Sequence, residues 1–330
     1  MQPLSPGAII RADARNIRRA ADILRAGGLV AFPTETVYGL GASALDSAAV
    51  RRIYHAKGRP SDNPLIVHVD GEDMLALVAR RVPPLARRLI AAFWPGPLTL
   101  VLEKAERVPL SVTAGCRTVA VRCPSHPVAR ALIHALGEPI AAPSANRSGR
   151  PSPTTAAHVA NDLGQRVALI LDGGPCRFGL ESTIIDARGQ SPVLLRPGAL
   201  SPEGISRIAN APLVSCGRAA PPSPGTRHRH YAPLCHVKLV SPSAVRSGLI
   251  PGLGPRDGLL HYSRWGGLRP AFLPAFVQRV SAGPAAYARG LFAALRAAEK
   301  AEVQTLFVET LPERGIGRAI MDRLRRAAER

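Results

Sequence analysis

The chain has 330 residues, 46% of them hydrophobic, which supplies enough apolar material for the cores of two ordinary domains and excludes a largely disordered chain. Its 43 basic residues against 23 acidic ones give a net charge of +20, which is typical either of an RNA-facing surface or of a general arginine bias. No apolar run reaches the ~18 residues of a membrane span and no signal peptide is indicated, so we expect a soluble cytoplasmic protein with no membrane partner.

Residues 1–210 alternate short apolar runs with amphipathic segments, which is the pattern of an α/β domain. Eight strands are predicted, over Leu29–Phe32, Leu65–Val69, Leu98–Leu102, Val119–Arg122, Ile140–Ala142, Ala168–Leu171, Thr183–Asp186 and Val193–Leu195. Six helices are predicted, over Ile17–Arg25, Ser47–Ala56, Leu85–Phe93, Pro127–Leu136, Thr155–Leu163 and Pro202–Ile208. This ratio of strands to helices does not fit simple βαβ winding, so we expect a sheet that mixes parallel and antiparallel pairs.

The composition changes at residues 211–235, which are rich in proline, contain no acidic residue and have no sustained period. This segment predicts an extended linker. Beyond it, residues 236–330 form a second, smaller α/β unit of Rossmann-like character. Its predicted strands and helices are His236–Val240, Gly258–Tyr262, Thr305–Glu309, Tyr287–Lys300 and Gly317–Ala328.

The cysteines do not indicate a disulfide scaffold or a zinc site. There are five of them, an odd number, widely spaced and without a C-x-x-C pair: Cys116, Cys123, Cys176, Cys216 and Cys235. P-loop, dinucleotide-fold, zinc-protease and serine-hydrolase motifs are absent from the sequence as well. We therefore predict no protein-held metal, and any nucleotide must be bound without a P-loop.

Polar clusters follow several of the apolar runs. The first is Phe32–Gly41, FPTETVYGLG, where two hydroxyls, a carboxylate and two glycines follow a strand and predict either a ligand-binding loop or an ordinary turn. The second, KGRPSDN, places Lys57 and Arg59 two residues apart after a helix that Gly58 should end. An ammonium beside a guanidinium suits a polyphosphate, although a solvated basic turn is the alternative.

A third candidate is Arg122, at the end of an apolar strand, VAVRCPSHP. A buried guanidinium needs an anion, which can be either a protein carboxylate or the carboxylate of a substrate. The remaining clusters are rich in Ser, Thr, Asn and Arg: APSANRSGRPSPT at 142–154, DGG at 172–174, EST at 181–183, LRPG at 195–198 and SPGTRHRHYAP at 223–233. The last cluster predicts either a lid over a bound nucleotide or a plain basic tether.

Together these clusters predict a strand-end pocket that is rich in cations and hydroxyls and poor in paired carboxylates. Such a pocket suits phosphoryl or nucleotidyl transfer by positioning and charge stabilisation. In this order, the motifs resemble those of the threonylcarbamoyl-AMP synthases, in the long form with a YrdC-like catalytic domain, a linker and a small C-terminal domain. The resemblance is dense over about residues 15–235 and rests beyond them on length and α/β character.

The resemblance implies a twisted sheet around a cationic cavity. It also implies that L-threonine, bicarbonate or CO2, and ATP with Mg²⁺ react to threonylcarbamoyl-AMP and pyrophosphate. Family positions for threonine correspond here to Thr36, His68, Arg122 and Ser182, with Arg122 holding the carboxylate. Those for ATP correspond to Arg59, Asn63, Thr118, Ser144, Asn146, Ser152, Arg196 and Tyr231. Lys57 and Arg59 are the expected catalytic cations.

The product would feed the tRNA threonylcarbamoyl transferase machinery, and tRNA itself is a further expected partner if the basic surface binds RNA. The competing hypothesis is a non-catalytic YrdC-like module that holds RNA in the same cavity. A pure RNA binder has no need of Tyr231 or of the 223–233 segment, so the sequence favours the enzyme.

Overall fold

The computed structural model describes residues 5–215, 230–265, 273–280 and 283–329, and these divide into two compact units. The first unit holds the described residues up to 215 except 149–151 and 178–180. The second holds those two short segments together with the described residues from 230 onward. The predicted linker is described only in part, since its residues 216–229, with most of the SPGTRHRHYAP motif and Cys216, lie outside the described residues.

The first unit is built on one sheet of eleven strands, in the order β1-β8-β2-β3-β7-β4-β6-β5-β9-β10-β11. These strands are β1 Ala8–Arg11, β2 Val30–Phe32, β3 Gly39–Ser43, β4 Ile66–His68, β5 Leu98–Glu103, β6 Thr118–Arg122, β7 Ile140–Ala141, β8 Leu169–Asp172, β9 Thr183–Asp186, β10 Val193–Arg196 and β11 Val214–Ser215. The sheet contains both parallel and antiparallel strand pairs: β4 and β6 are parallel, whereas β5 and β6 are antiparallel. The predicted mixed sheet is thus confirmed.

Helices cover this sheet unequally. They are α1 Ala14–Arg25, α2 Ser47–Lys57, α3 Glu72–Leu75, α4 Pro84–Phe93, α5 Leu110–Thr113, α6 Pro127–Leu136, α7 Ala156–Leu163 and α8 Pro202–Ala209, with one 3-10 turn at Gly164–Arg166. One core cluster joins α1 and α6 to β2, β7 and β8 on one face. A larger cluster joins α2, α4, α7 and α8 to the opposite face, including the inward side chains of β4, β5, β6 and β9.

The second unit contains a parallel sheet of four strands in the order β12-β15-β13-β14, which confirms a second, smaller α/β unit. The strands are β12 His236–Val240, β13 Gly258–His261, β14 Phe276–Arg279 and β15 Thr305–Glu309. Its helices are α9 Pro242–Ser247, α10 Pro284–Lys300 and α11 Gly317–Ala328. None of the helices in the described ranges is long and apolar enough to cross a membrane. The four cysteines found there are all free thiols.

Strand β3 was not predicted; the sequence favoured a loop from Phe32 to Gly41. Glycines have low strand propensity, but here they are required by packing. A Cβ on Gly41 would lie 2.8 Å from the Phe32 ring and 2.9 Å from Ile140 Cγ2. The sequence also missed β1, β11, β14 and the short helices α3, α5 and α9.

Candidate active site

One face of the first sheet carries a small apolar patch without helical partners. It consists of Ile66, Val101, Ala120, Ile184 and Leu195, from β4, β5, β6, β9 and β10. Among the described residues, every member of this cluster belongs to a strand, whereas the clusters elsewhere on the sheet include helices. All five side chains are buried, and we take this part of the sheet face as the candidate for the substrate site because no helical residue of the described ranges belongs to the cluster.

The register of β4 and β6 sets polar groups around this patch. The two strands are parallel and pair Ile66 with Ala120 and His68 with Arg122. Because alternate side chains point to the same face, His68 and Arg122 share the face of the patch, and so does Thr118. Thr118 and Arg122 lie at opposite ends of β6, about 13 Å apart at ~3.3 Å per residue. Thr118 and Arg122 can therefore contact groups at opposite ends of this face.

Arg122 is buried and paired with a protein carboxylate. Its Nη2 lies 2.7 Å from Glu35 Oε1, and both side chains are only 4% exposed. Nη1 donates to Thr36 Oγ1 at 2.8 Å, and Nε donates to the carbonyl of Gly96 at 3.3 Å. Of the two anions that the sequence left open for Arg122, the protein carboxylate is present. Since a guanidinium has five N–H donors, Arg122 can bind a second carboxylate as well.

Burial and neighbouring charges shift the pKa values of Glu35 and His68. Burial, the largest influence, raises the pKa of Glu35, but the charge and hydrogen bonding of Arg122, helped by backbone donors, outweigh it and leave the pKa below 4.5. Burial and the repulsion of Arg122 lower the pKa of His68 to about 3, against a smaller opposing effect of Glu35. His68 is therefore a neutral imidazole, and its buried Nδ1 has no hydrogen-bond partner among the described residues.

Ser182 and Arg196 lie at the same end of the strands as Arg122. Ser182 precedes β9 and shares a hydrogen bond of 2.7 Å with Thr99 Oγ1 of β5. Arg196 ends β10 and donates from Nη2 to the carbonyl of Ser182 at 2.9 Å. The backbone joins them to Arg122, since Thr183 N donates to the carbonyl of Pro97, next to the Gly96 that Arg122 contacts.

Lys57 and Arg59 are buried, contrary to the solvated turn that the sequence left open. Lys57 is the last residue of α2, which Gly58 ends in the left-handed conformation with φ +61°. Its Nζ donates to the carbonyls of Ser144, at 2.5 Å, and of Asn146. Burial, then the charge of Arg59, hold the pKa of Lys57 well below 10.5.

Arg59 is tied to the segment that leads into β4. It donates from Nε to the carbonyl of Asn63 at 3.1 Å and from Nη2 to that of Pro64 at 2.8 Å. Asn63 is itself 1% exposed. These contacts fix the guanidinium at the amino end of β4, the end opposite to His68.

The loop after β7 connects the two ends of the face: Ser144 contacts Lys57 at one end, and Ser152 contacts Glu181, which directly precedes Ser182 at the other. Ser144 Oγ donates to Asn146 Oδ1 at 2.5 Å, and Ser152 Oγ donates to Glu181 Oε1 at 2.5 Å. Ser144 also bridges Gly39 at the start of β3, three residues after the Thr36 that contacts Arg122. Lys57 and Arg122 are thereby connected through a short series of direct contacts.

Tyr231, a predicted ATP contact, belongs to the second unit. It is 1% exposed and has a positive φ of 67°. Its ring stacks on Phe292 of α10, with centroids 5.4 Å apart, and the guanidinium of Arg323 lies 5.2 Å from its centroid. The other predicted site residues all belong to the first unit.

The sequence assigned no role to Glu35, Thr99 or Glu181. Glu35 had one usable signal: it is an acid between two threonines that follow a fully apolar strand, and Arg122 required an anion. Thr99 stands inside a strand, and nothing local distinguishes it from a core threonine. Its importance comes only from its contact with Ser182.

Comparison with known proteins gives two family matches. Residues 22–198 match a family described as "Telomere recombination", which groups Sua5, YciO and YrdC proteins. Residues 200–329 match "Threonylcarbamoyl-AMP synthase, C-terminal domain". The chain is 44% identical to a threonylcarbamoyl-AMP synthase of Pyrococcus abyssi, over 94% of each chain. It is 45% identical to that of Bacillus subtilis, over 94% of this chain and 92% of the relative.

Among solved structures, P. abyssi Sua5 in complex with L-threonine superposes with a TM-score of 0.89 at 42% identity. That match covers 97% of this chain and 96% of the relative. E. coli YciO matches the fold with a TM-score of 0.51 at 30% identity, over 56% of this chain and 90% of the relative.

Proposed function

Because the chain belongs to the threonylcarbamoyl-AMP synthase family, it forms threonylcarbamoyl-AMP and pyrophosphate from L-threonine, bicarbonate or CO2, and ATP. We propose that the reaction takes place on the helix-free face of β4, β5, β6 and β9. The product serves threonylcarbamoyladenosine modification of tRNA. The observation that carries the proposal is the pair of buried cationic ends of this face, Arg122 with Arg196 and Lys57 with Arg59.

Threonine occupies the Arg122 end. Arg122 takes its carboxylate through the N–H groups left by Glu35, Thr36 and Gly96, and Thr36 and Ser182 supply hydroxyls beside it. The neutrality of His68 supports this placement, because an imidazolium beside Arg122 would repel the substrate ammonium, whereas an uncharged ring with an available Nδ1 can hydrogen-bond to the substrate.

ATP occupies the opposite end and reaches back toward threonine. Arg59 and Lys57 offer charge to the phosphates, and the hydroxyl and amide groups around them suit ribose and phosphate oxygens. The proposed contacts are Arg59, Asn63, Thr118, Ser144, Asn146, Ser152, Arg196 and Tyr231. Thr118, a proposed ATP contact, and Arg122, the proposed threonine contact, lie at opposite ends of β6, about 13 Å apart at ~3.3 Å per residue.

The chemistry brings two anions together. The amine of threonine, once carboxylated, is a carbamate whose oxygen attacks the α-phosphorus of ATP, and pyrophosphate leaves. Lys57 and Arg59 neutralise the charge that accumulates on the phosphates during this displacement. Both cations are held rigidly by backbone carbonyls, so little reorganisation is needed when the phosphates arrive.

Mg²⁺ enters this proposal as part of the substrate MgATP. In the part of the chain that the structure describes, no group of three or more His, Cys, Asp or Glu side chains is arranged to hold a metal. Mg²⁺ is commonly bound through substrate phosphates and water. We place the reaction in the cytoplasm, with the tRNA-modifying transferase as the consumer of the product and tRNA as a candidate ligand of the basic surface.

The test is mass-spectrometric detection of threonylcarbamoyl-AMP after incubation with MgATP, threonine and bicarbonate, together with pyrophosphate release. Omission of threonine or bicarbonate must abolish both signals. A protein that releases no pyrophosphate with all substrates present, but binds RNA in a steeply salt-dependent manner unaffected by ATP and threonine, would instead be an RNA-binding module.

A further inference from the structure

One side of helix α10 contacts three segments that lead into the proposed site. The stripe consists of Arg289, Phe292, Arg296 and Glu299, which lie within an arc of about 80° at 100° per residue. We call these four residues the α10 stripe. The contacts that the α10 stripe makes lie within the second unit, which includes segments 149–151 and 178–180.

The first contact is made by segment 178–180. Gly179 has φ +71°, and a Cβ there would lie 2.5 Å from Arg289 Cα and 2.6 Å from its carbonyl oxygen. Backbone packs on backbone at this point, and only glycine can occupy it. Leu180, which follows, is fully buried. Two residues later the chain reaches Ser182.

The second contact is made by segment 149–151. Arg150 forms an ion pair of 2.5 Å with Glu299, and Arg296 donates to the carbonyl of Pro151 at 2.5 Å. The Arg150 and Glu299 side chains are 27% and 11% exposed, so this pair is well shielded from water. The residue after Pro151 is Ser152.

The end of the linker joins the same stripe. Tyr231 stacks on Phe292, Ala232 N donates to the carbonyl of Gly149, and Leu234 N donates to Glu299 Oε1 at 3.3 Å. Ser152 and Glu181, the residues just beyond the two anchored segments, are joined to each other by their own hydrogen bond.

We propose that the α10 stripe positions the site: Gly179 against Arg289 sets the loop that carries Ser182, and Glu299 with Arg150 sets the loop that carries Ser152. Gly179 and Glu299 are positioning residues that do not touch substrate. This inference rests on the proposed function, because it takes Ser182 as a threonine contact and Ser152 as an ATP contact.

The test measures the dissociation constants of threonine and ATP for the full chain by calorimetry, and the KM values of pyrophosphate release. Gly179→Ala is compared with Gly137→Ala, which has a similar φ of +76° but open space around its Cβ, so that only the collision with α10 differs. Glu299→Gln is compared with Glu302→Gln, an exposed acid three residues further along the chain.

We expect Gly179→Ala to weaken threonine binding at least tenfold and ATP binding less. Glu299→Gln should weaken ATP binding about threefold to tenfold and threonine binding less, with partial recovery in Glu299→Asp. Both controls should bind as the unaltered chain does. A general loss of stability cannot make one variant affect mainly threonine and the other mainly ATP, because it would weaken the binding of both ligands alike.

The inference would be overturned if each variant weakened the binding of threonine and of ATP equally, or if the dissociation constants of the variants matched those of their controls. If Gly179→Ala fails to fold, the Glu299 variants decide alone. Ser182→Ala separates this outcome from a failure of the proposed function. When Ser182→Ala weakens threonine binding and the α10 variants do not, only the positioning role fails. When Ser182→Ala also leaves threonine binding unchanged, the assignment of the site fails.

Discussion

Substitution of Glu35 by glutamine should destabilise the first unit strongly, because it leaves the charge of Arg122 buried without its partner. The two side chains are each 4% exposed and lie 2.7 Å apart. Loss of one member of such a pair costs about 3–5 kcal/mol, and the lower end applies here because Arg122 keeps its bonds to Thr36 and Gly96. A loss of about 3 kcal/mol lowers the ratio of folded to unfolded protein more than a hundredfold.

The assay is urea unfolding followed by tryptophan fluorescence. The chain has two tryptophans, Trp94 in the first unit and Trp265 in the second, so a Trp265→Phe background confines the signal to the first unit. The control is Glu103→Gln, which removes a 3.0 Å ion pair with Arg81 whose side chains are 65% and 36% exposed. That surface pair should contribute less than about 1 kcal/mol.

The pH dependence gives a second readout of the same pair. The folded pKa of Glu35 lies below its usual value of 4.5, so the carboxylate contributes stability that is fully present above about pH 4.5 and is lost as the pH falls through the folded pKa. The difference between the unaltered chain and Glu35→Gln should therefore shrink in acid. Equal effects of Glu35→Gln and Glu103→Gln at pH 7 would refute the buried-pair reasoning.

Three further predictions concern the nucleotide end. Because burial lowers the pKa of Lys57, bound phosphates should raise that pKa, so ATP should bind more tightly as the pH falls. Calorimetry in buffers of different ionisation heat should show net proton uptake on ATP binding, and Lys57→Met should reduce it. Arg59→Ala should lower kcat/KM for pyrophosphate release by about 100- to 1000-fold, about 3 kcal/mol, while Arg51→Ala, at an exposed position of helix α2, leaves it unchanged. If segment 223–233 closes over the nucleotide, ATP with threonine should slow its cleavage by trypsin; equal cleavage with and without ligands would remove the lid.

The first unit shows which structural features can be predicted from the local sequence. Apolar periodicity located β4, β6 and β9 to within one residue at each end, and the helices α2 and α6 began where predicted, because these segments form part of a core. Strand β3 escaped prediction because its sequence GLGAS lacks the branched residues of a typical strand, and packing against Phe32 and Ile140 selects its glycines.

The candidate site also combines residues that the sequence identified with contacts that only the structure shows. Arg122 was found from the sequence because a guanidinium that ends an apolar strand needs an anion. Lys57 and Arg59 were found because an ammonium beside a guanidinium suits a polyphosphate. The burial of Lys57 and Arg59 was not predictable, because it depends on the carbonyls of Ser144, Asn146 and Pro64 being brought to them.

The sequence by itself determined the longer helices, most of the strands, the order of the motifs and hence the family. Only the tertiary structure decided that β4 lies beside β6, that Glu35 pairs with Arg122, and that segments 149–151 and 178–180 pack on helix α10. The physical reason is the distance along the sequence over which each effect acts. Local propensity and periodicity act over a turn or a strand, whereas each of these pairings joins residues more than fifty positions apart, and it is selected by the simultaneous packing of the whole chain.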